Sequence, residues 1–293
     1  MPFISLGLAP TLAQAAAELG FTAPTPIQLE AIPAVLSGAD LLATAQTGSG
    51  KTAAFALPLL QRLQTGPMHT PRRVRALVLV PTRELAAQVG EVLRSLAQHL
   101  PSRPRIAVAF GGVSINPQLM ALRGGADVMV ATPGRLLDLV EHNALRLSAV
   151  ELLVLDEADR LLDLGFADEL DRVLALLPAQ RQNLFFSATF PPAVEALAGG
   201  LLRDPQRVDV PAPAQAEAVI LQRAIAVDAS RRTQLLRQLI KDNGWERVLV
   251  FVATQYAAEH VAEKLYKAGI YATPFHGGLS QGARNQVLQE FKD

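Results

Sequence analysis

The chain has 293 residues, of which 50% are hydrophobic and 18% are charged, so it can bury the cores of two modest domains. Its 27 Lys and Arg residues balance its 27 Asp and Glu residues, which excludes bulk attraction to nucleic acid and leaves only local basic patches. The absence of cysteine excludes disulfides and thiolate metal sites.

The N-terminal segment MPFISLGLAPTLAQAAAELG lacks the basic start and the continuous apolar core of a signal peptide. No uncharged apolar run in the sequence is long enough to span a bilayer. We therefore expect a soluble, cytoplasmic protein that makes no membrane contact.

Six short apolar runs in the first two thirds of the chain alternate with longer segments of helical periodicity. Such runs predict strands that are buried on both faces, and they are LLATAQ, RALVLVP, RIAVAF, DVMVATP, ELLVLDE and NLFFSAT. Alternation of strands and helices predicts an α/β fold with a parallel, doubly wound sheet.

A stretch rich in Pro and Ala, VDVPAPAQAEAV, interrupts the alternation and indicates a linker. The apolar runs LQRAIAV, RVLVFVAT and YATPFHG follow it and predict the strands of a smaller α/β unit. We therefore expect a first domain at residues 1–208, a linker at 209–218 and an incomplete second domain at 219–293.

The segment AQTGSGKT, which begins at Ala45, fits the phosphate-binding pattern GxxxxGK[ST] except that alanine replaces the first glycine. Gly48 and Gly50 allow backbone N–H groups to surround phosphate oxygens at the start of a helix. Lys51 supplies a positive charge for the β- and γ-phosphates, and Thr52 offers a hydroxyl to Mg²⁺. The predicted nucleotide-binding residues of this segment are Gln46, Thr47, Gly48, Ser49, Gly50, Lys51 and Thr52.

The stretch LLVLDEADRLLDLGF runs from an apparent buried strand directly into three acids. Asp156, Glu157 and Asp159 could cap the next helix and complement its dipole. With a phosphate loop in the chain, Asp156 also fits a carboxylate that holds Mg²⁺ through water, and Glu157 fits a base that activates the attacking water. We predict Lys51, Asp156 and Glu157 as catalytic residues, with Thr52 and Asp156 at the metal.

These motifs together resemble those of the DEAD-box ATP-dependent RNA helicases of the bacterial type. The resemblance rests on DEAD at 156–159, AQTGSGKT, and SAT at 187–189. It continues in order through GFTAPTPIQ, PTREL, GG, TPGR, VLVFVAT and FHGGLSQGARNQVLQEF, and so covers nearly the whole chain. It implies two RecA-like domains, the cofactors ATP and Mg²⁺, an RNA partner, and local unwinding of RNA duplexes.

The resemblance also implies functions for individual residues. Gln28 would read the adenine edge, because its amide both donates and accepts hydrogen bonds. Phe21 would stack on the base, although a place in the core is the alternative. Thr25 could cap its helix or reach the phosphate loop. The residues implied in coupling the ATP state to domain closure are Ser187, Thr189 and Asp159.

Residues at the ends of other predicted strands are implied in RNA binding. PTREL and TPGR place hydroxyls, N–H groups and guanidinium groups where they can hold RNA phosphates, although helix capping uses the same groups. Because only 5% of the residues are aromatic, we expect binding through the sugar–phosphate backbone with little sequence preference. The implied RNA-binding residues are Pro81, Thr82, Arg83, Gly112, Thr132, Arg135, Thr254 and Arg284.

Two segments that this family carries are absent from the 293 residues. One is Ala-Thr-Asp followed by Arg-Gly, and the other is a His-Arg-x-Gly-Arg-x-x-Arg segment that supplies an arginine finger. We therefore expect a helicase truncated within its second RecA-like domain, which binds ATP–Mg²⁺ but is impaired in hydrolysis and unwinding. Two alternatives stay open, namely a non-catalytic ATP- or RNA-binding module and a DNA-directed helicase of the same superfamily.

Overall fold

The computed structural model describes most of the chain, and the described residues are 2–46, 48–66, 69–210 and 221–292. The predicted phosphate-binding residue Thr47 lies outside the described residues, and so do residues 211–218 of the predicted linker. The chain divides into two compact units, Met1–Ala216 and Glu217–Asp293.

Seven parallel strands form a single sheet in the described part of the first unit. They are β1 (Leu41–Thr44), β2 (Ala76–Leu79), β3 (Ile106–Ala109), β4 (Val128–Ala131), β5 (Leu152–Leu155), β6 (Gln182–Ser187) and β7 (Gln206–Asp209). Their spatial order is β3-β4-β2-β5-β6-β1-β7, and every neighbouring pair is parallel. This order confirms the predicted α/β fold with a doubly wound parallel sheet.

Helices connect these strands. After a 3-10 helix at Phe3–Leu6 they are α1 (Pro10–Glu18), α2 (Pro26–Ser37), α3 (Lys51–Thr65), α4 (Arg83–Ala97), α5 (Asn116–Ala121), α6 (Pro133–Glu141), α7 (Ala158–Asp163), α8 (Ala167–Ala175) and α9 (Pro192–Leu201). Both α3 and α4 have 15 residues. None of the helices in the described ranges has the length and apolar character that crossing a membrane requires.

Apolar side chains cover both faces of the sheet, because adjacent residues of a strand point to opposite faces. Phe186 belongs to the core that includes side chains of α1–α4, whereas its neighbour Phe185 belongs to the core that includes side chains of α6–α9. The ring of Phe55 on α3 lies 5.5 Å from that of Phe186, centroid to centroid. Burial on both faces explains the continuous apolar runs, and each of the six predicted strands is confirmed.

The edge strand β7 is not among the strands predicted from the sequence. Its residues are polar and only Val208 of the four is buried, so it lacks an apolar run. It pairs with β1, where Thr44 Oγ1 donates to Asp209 Oδ1 at 2.5 Å and Val210 N donates to the Thr44 carbonyl at 3.1 Å. The predicted linker at 209–218 is therefore wrong at its first residue, because Asp209 belongs to the sheet.

The second unit is helical in its described residues. After a 3-10 helix at Ala229–Arg231 its helices are α10 (Arg232–Asn243), α11 (Gln255–Lys267) and α12 (Gln281–Lys292). The three strands predicted from apolar runs here are wrong, since residues 221–292 contain no hydrogen-bonded strand. An apolar run indicates what a strand would bury, but a strand also needs a partner for its N–H and C=O groups. The side chain of Phe251, in the middle of RVLVFVAT, is 88% exposed.

Candidate functional site

Most of the residues predicted to bind nucleotide or RNA lie at one edge of the sheet in the first unit. All strands are parallel, so their carboxyl ends meet at this carboxyl edge. From β3 to β1 the edge carries Gly112, Thr132, Thr82, Asp156, Ser187 and the phosphate loop at residues 45–52. In the first unit the predicted RNA-binding residues follow β3, β4 and β2. The phosphate loop follows β1, and the predicted catalytic and coupling residues lie at the ends of β5 and β6.

The phosphate loop connects β1 to the first turn of α3. Gly48 and Gly50 have φ values of 83° and 93°, a left-handed conformation that favours glycine. Ser49 Oγ donates to the carbonyl oxygen of Gln46 at 2.8 Å and so closes the turn. Ala45, which replaces the first glycine of the pattern, is buried, so its methyl group is accommodated in the core.

Gln28 on α2 holds the end of the phosphate loop. Its Oε1 accepts a hydrogen bond from Thr25 N at 2.9 Å, and its Nε2 donates to the Gly50 carbonyl at 3.0 Å. Gln28 is 2% exposed, so both groups of the amide are used inside the protein. A Cβ at residue 50 would lie 2.5 Å from Gln28 Nε2 and would displace that amide, and the φ of 93° also favours glycine there. The predicted contact of Gln28 with adenine needs one of these bonds to be exchanged.

Thr25 and Phe21 lie beside Gln28. Thr25 is the N-cap residue of α2, and its Oγ1 is buried without a hydrogen-bond partner in the described part of the chain. This hydroxyl oxygen lies 2.9 Å from the position that a Cβ at Gly50 would take, so Thr25 contacts the phosphate loop. Phe21 is half-buried and packs against the core on the α1–α4 face. Stacking of Phe21 on a base stays a prediction.

Lys51 and Asp156 form a buried pair at the phosphate loop. Lys51 Nζ lies 4.0 Å from Asp156 Oδ1, and the two residues are 6% and 2% exposed. Burial raises the pKa of Asp156 from 3.8 to about 6, although the charge of Lys51 opposes this shift. A further cation beside Asp156 would favour its charged form.

Glu157 adopts a left-handed backbone conformation, with φ 53° and ψ 52°. A side chain other than glycine is strained in this region, and such strain is concentrated at functional sites. The Glu157 N–H donates to Asp156 Oδ1 at 3.0 Å, and the Glu157 carboxylate lies 3.7 Å from Arg160 Nε. The turn therefore places two carboxylates in succession at the end of β5.

Asp159 links the DEAD segment to the SAT segment. Asp159 Oδ2 accepts hydrogen bonds from Thr189 N at 3.0 Å and from Thr189 Oγ1 at 2.8 Å. Ser187 Oγ accepts from Asp159 N at 3.2 Å and donates to the Thr189 carbonyl at 2.7 Å. Desolvation opposes the charge of Asp159, but hydrogen bonds from Thr189, Arg160 and Ser187 outweigh it and hold its pKa below the ordinary value.

The residues at this end of the edge fit a nucleotide with Mg²⁺. The glycine turn, the start of α3 and Lys51 form a cationic cradle, and the buried Thr25 hydroxyl beside it lacks a partner. Mg²⁺ is usually bound by one or two protein oxygens together with phosphates and water. Thr52 and Asp156 would supply those oxygens. The described residues contain no group of three His, Cys, Asp or Glu that could hold a metal ion by protein ligands alone.

Two arginines converge on the loop that follows β3. Arg83 Nη1 donates to the Gly112 carbonyl at 3.4 Å, and Arg135 Nη2 donates to the Val113 carbonyl at 2.8 Å. The buried Arg135 also lies 3.3 Å from the carboxylate of Asp138, measured from its Nε. The structure thus brings the three motifs PTREL, GG and TPGR together, as the strand order requires.

The other predicted RNA-binding residues of the first unit adjoin this loop. Thr82 caps α4, since its Oγ1 accepts from Leu85 N at 3.2 Å, and the preceding Pro81 is buried. Thr132 is buried at the N-cap position of α6, and its side chain makes no capping bond. Helix capping therefore accounts for the side-chain hydroxyl of Thr82 but not for that of Thr132.

Gln118 lies on α5, directly after the same loop, and has no motif to identify it in the sequence. Its Oε1 accepts from Phe110 N at 3.1 Å, and its Nε2 donates to the Phe110 carbonyl at 3.2 Å. The side chain thereby acts as a strand partner for the residue after β3. The segment GGVSINP, which lies between Phe110 and Gln118, is rich in turn formers. It is the one feature of the sequence that indicates a turn at this position.

Two predicted RNA-binding residues lie in the second unit. Thr254 is the N-cap residue of α11, and its Oγ1 accepts from Ala257 N at 3.1 Å. The guanidinium of Arg284 on α12 lies 5.3 Å from the centroid of the Phe275 ring. Capping and a cation–π contact thus account for their positions within the unit.

A doubly wound parallel sheet with a phosphate loop after β1 and paired acids after β5 defines the class of P-loop α/β proteins. Residues 25–197 match the family model described as DEAD/DEAH box helicase, and residues 231–293 match the helicase conserved C-terminal domain. The first match covers more than half of the chain. The chain belongs to the DEAD/DEAH box helicase family.

Curated relatives agree with this assignment. The chain is 40% identical over 291 residues to the ATP-dependent RNA helicase DeaD of Mycobacterium tuberculosis, spanning 99% of this chain and 50% of that protein. It is also 40% identical to the DEAD-box ATP-dependent RNA helicase CshA of Bacillus cereus, over 99% of this chain and 54% of that protein. It therefore spans about half the length of the curated relatives it matches.

A solved structure shares the fold. A DEAD box protein from the hyperthermophile Methanococcus jannaschii superimposes with a TM-score of 0.65 and 35% sequence identity. The match covers 100% of this chain and 77% of that one. The chain therefore has the α/β fold of a DEAD box protein.

Proposed function

We propose that this chain binds ATP with Mg²⁺ and RNA at the carboxyl edge of its sheet, as part of an ATP-dependent RNA helicase. The observation that carries the proposal is the buried pair of Lys51 and Asp156 at the phosphate loop. The same edge continues into the arginine-bound loop at Gly112 and Val113. The names of the relatives, which are ATP-dependent RNA helicases, support this substrate and this partner.

The geometry supports hydrolysis of ATP by an activated water. Lys51 and the loop N–H groups bind the β- and γ-phosphates, and Thr52 and Asp156 would hold Mg²⁺, which would neutralise phosphate charge. Glu157 orients the attacking water and accepts its proton while the bond to the γ-phosphorus forms. The bond between the γ-phosphorus and the bridging oxygen breaks, and ADP leaves with the electron pair.

We extend the proposal to RNA and to coupling. Hydroxyl, N–H and guanidinium groups at the ends of β2, β3 and β4 bind the RNA backbone, which gives little sequence preference. In the first unit the proposed residues are Pro81, Thr82, Arg83, Gly112, Thr132 and Arg135, and in the second they are Thr254 and Arg284. The hydrogen-bonded set of Asp159, Ser187 and Thr189 transmits the ATP state to domain closure.

The proposal includes the division into domains and the activity of the polypeptide. A first domain spans residues 1–208 together with Asp209, the last residue of β7, and a second domain spans 219–293. The 293 residues contain no arginine-finger segment. This polypeptide alone should therefore bind ATP–Mg²⁺ but hydrolyse it slowly.

The test is ATP hydrolysis with and without single-stranded RNA, in the wild-type chain and in Glu157→Gln. We expect slow turnover that Glu157→Gln abolishes while ATP still binds, and no change in the control Glu91→Gln, an exposed residue of α4. Turnover that Glu157→Gln leaves unchanged would contradict the assignment of the base. Matched DNA that stimulates as well as RNA would favour a DNA-directed helicase.

A further inference from the structure

A group of arginines lies at the opposite edge of the same sheet, near the amino ends of β2, β3 and β4. We call it the arginine patch, and its members are Arg72, Arg73, Arg103, Arg105 and Arg123. None of the nucleotide- or RNA-binding residues described above belongs to it. The patch therefore needs an explanation of its own.

Contacts with one carboxylate join the segments of the patch. Asp127, directly before β4, forms an ion pair with the side chain of Arg72. The same Asp127 oxygen accepts a hydrogen bond from Arg105 N at 2.6 Å. Arg105 Nη2 donates to the Ala121 carbonyl at 2.8 Å, which places its guanidinium beside the segment that carries Arg123. The three segments that carry the five arginines are thus held next to one another at this edge.

Positive charge dominates this surface. Asp127 is bound by the side chain of Arg72 and the main chain of Arg105, and Arg73, Arg103 and Arg123 are exposed without an ion pair in the described part of the chain. Glu151, at the start of β5, is already bound by Arg75 through bonds of 2.8 and 3.2 Å. The total charges of the chain balance, so the arginine patch is a local concentration of positive charge, which attracts a polyanion.

The surroundings of the patch favour a phosphate backbone over a protein partner. A cavity beside Arg72 and Asp127 is lined, among the described residues, by His69, Thr70, Pro71, Arg72, Gly124 and Asp127. They include no Phe, Tyr or Trp and no large aliphatic side chain, whereas protein interfaces depend on such buried anchors. Nucleic-acid interfaces are polar and strongly positive, and the planar guanidinium group binds phosphate through paired hydrogen bonds.

We infer that the arginine patch is a second RNA-binding surface, which holds phosphates of single-stranded RNA that extends beyond the carboxyl edge. The inference rests on the proposed function, since it assumes RNA at that edge. Strands β2, β3 and β4 have four residues each, so the two edges are about 13 Å apart along the strands. A long RNA reaches both edges, whereas an RNA that only fills the carboxyl edge does not reach the patch.

The test compares RNA of 8 and 25 nucleotides in the full chain, by fluorescence anisotropy with a non-hydrolysable ATP analogue. The patch variant combines Arg73→Glu, Arg103→Glu and Arg123→Glu. The control variant has the same change of charge at exposed positions elsewhere in the first unit, and combines Arg146→Glu, Arg172→Glu and Arg207→Glu.

We expect the patch variant to bind the 25-nucleotide RNA about tenfold more weakly and the 8-nucleotide RNA within about twofold of wild type. Loss of three phosphate contacts should also reduce the slope of log affinity against log salt by about 2 for the long RNA. The control variant should stay within about twofold for both lengths. Circular dichroism verifies the fold, and a triple Arg→Ser variant at the patch positions replaces the Glu variant if that one does not fold.

Three results would overturn the inference: equal loss for both lengths, no loss for the long RNA, or equal loss in the control variant. An acidic peptide of poly-glutamate that binds the patch while the long RNA does not would also overturn it, in favour of a protein partner. If the wild-type chain binds the long RNA through the patch but not the short RNA, the proposed carboxyl-edge function fails and the patch assignment stands.

Discussion

Gln28 and Gly50 are joined by a hydrogen bond of 3.0 Å from the side-chain amide of the first to the main-chain carbonyl of the second. The bond connects α2 to the N-cap residue of α3, so it fixes the phosphate loop from outside the loop. Because the other end of the same amide is bound to Thr25 N, Gln28 is a positioning residue for phosphate as well as a candidate for reading the base.

Replacing Gln28 by Ala should therefore weaken the binding of phosphate groups even when no base is present. The change leaves the Thr25 N–H without its partner, at a cost of about 1–3 kcal/mol. The Gly50 carbonyl loses one of its two hydrogen bonds and keeps the one from Ala54 N at 3.2 Å. We expect tripolyphosphate and ATP to lose affinity by similar factors of about tenfold, measured by calorimetry. Gln88→Ala, at an exposed position of α4, is the control. Unchanged affinity for tripolyphosphate would restrict Gln28 to reading the base.

Lys51 is the only lysine before Lys241, so its replacement removes the lysine charge of the whole first unit. We expect Lys51→Ala to reduce ATP affinity by at least about 100-fold, because a buried cation at the phosphate loop has no substitute. Lys264→Ala, at an exposed position of α11, should have no effect. Equilibrium binding of a fluorescent ATP analogue measures both, and unchanged affinity in Lys51→Ala would refute the phosphate-loop assignment.

Asp156 should make Mg²⁺-dependent nucleotide binding sensitive to pH near 6. Its pKa is raised by burial to about 6, and Mg²⁺ requires the charged carboxylate. Below pH 6 the Mg²⁺-dependent part of the affinity should fall about tenfold per pH unit. The control is Asp156→Asn, in which the titration of ATP itself contributes equally. The difference between the pH profiles of wild type and Asp156→Asn therefore isolates the titration of Asp156. Identical profiles would show that Asp156 does not titrate there.

The same shift predicts the direction of a stability change. A carboxyl whose pKa is higher in the folded than in the unfolded protein binds its proton more tightly when folded. Its contribution to stability is therefore greatest below pH 3.8 and is lost as the pH rises to about 6. Urea unfolding at pH 5 and pH 7 should show that this pH dependence is smaller in Asp156→Asn than in wild type. An equal dependence in both proteins would contradict the assignment.

The sequence predicts a strand where both faces of that strand are buried. Phe185 and Phe186 are apolar neighbours on opposite faces, and such continuous runs predicted six strands correctly. Val208 is the only buried residue of β7, so that edge strand has no comparable pattern. Phe251 lies in an apolar run that pairs with no strand in the described residues. The local sequence does not show whether a neighbouring strand is available.

The candidate site was predictable where a motif lies within one segment. Lys51 and Asp156 could each be identified from neighbouring residues, since their chemistry requires a phosphate loop and an acid at a strand end. The contact of Arg135 with Val113 joins segments that only the strand order brings together. The contact of Gln118 with Phe110 depends on the path of the turn between β3 and α5, which no motif specifies. The sequence therefore predicted which groups lie at the candidate site but not which groups hold them in place.

Thr189 tests the link between the DEAD and SAT segments. Thr189→Val removes the hydroxyl that donates to Asp159 at 2.8 Å but keeps the main-chain donor and the shape of the side chain. We expect a loss of about 1–2 kcal/mol in the free energy of unfolding at pH 7, because a hydrogen bond to a charged group is lost. ATP binding should stay within about twofold of wild type, since Thr189 does not contact the phosphate loop in the described residues.

The pH dependence of this loss distinguishes the hydrogen bond from a packing defect. Because the pKa of Asp159 is lowered in the folded protein, the stabilisation is present above the unfolded pKa and is lost as the pH falls through the folded value. The difference in unfolding free energy between wild type and Thr189→Val should therefore shrink when urea unfolding is repeated below about pH 4. The control Thr65→Val, whose hydroxyl donates to the Arg62 carbonyl at 3.0 Å, involves no carboxylate and should show a constant difference. A constant difference in Thr189→Val as well would mean that packing, and not the charge of Asp159, joins the two segments.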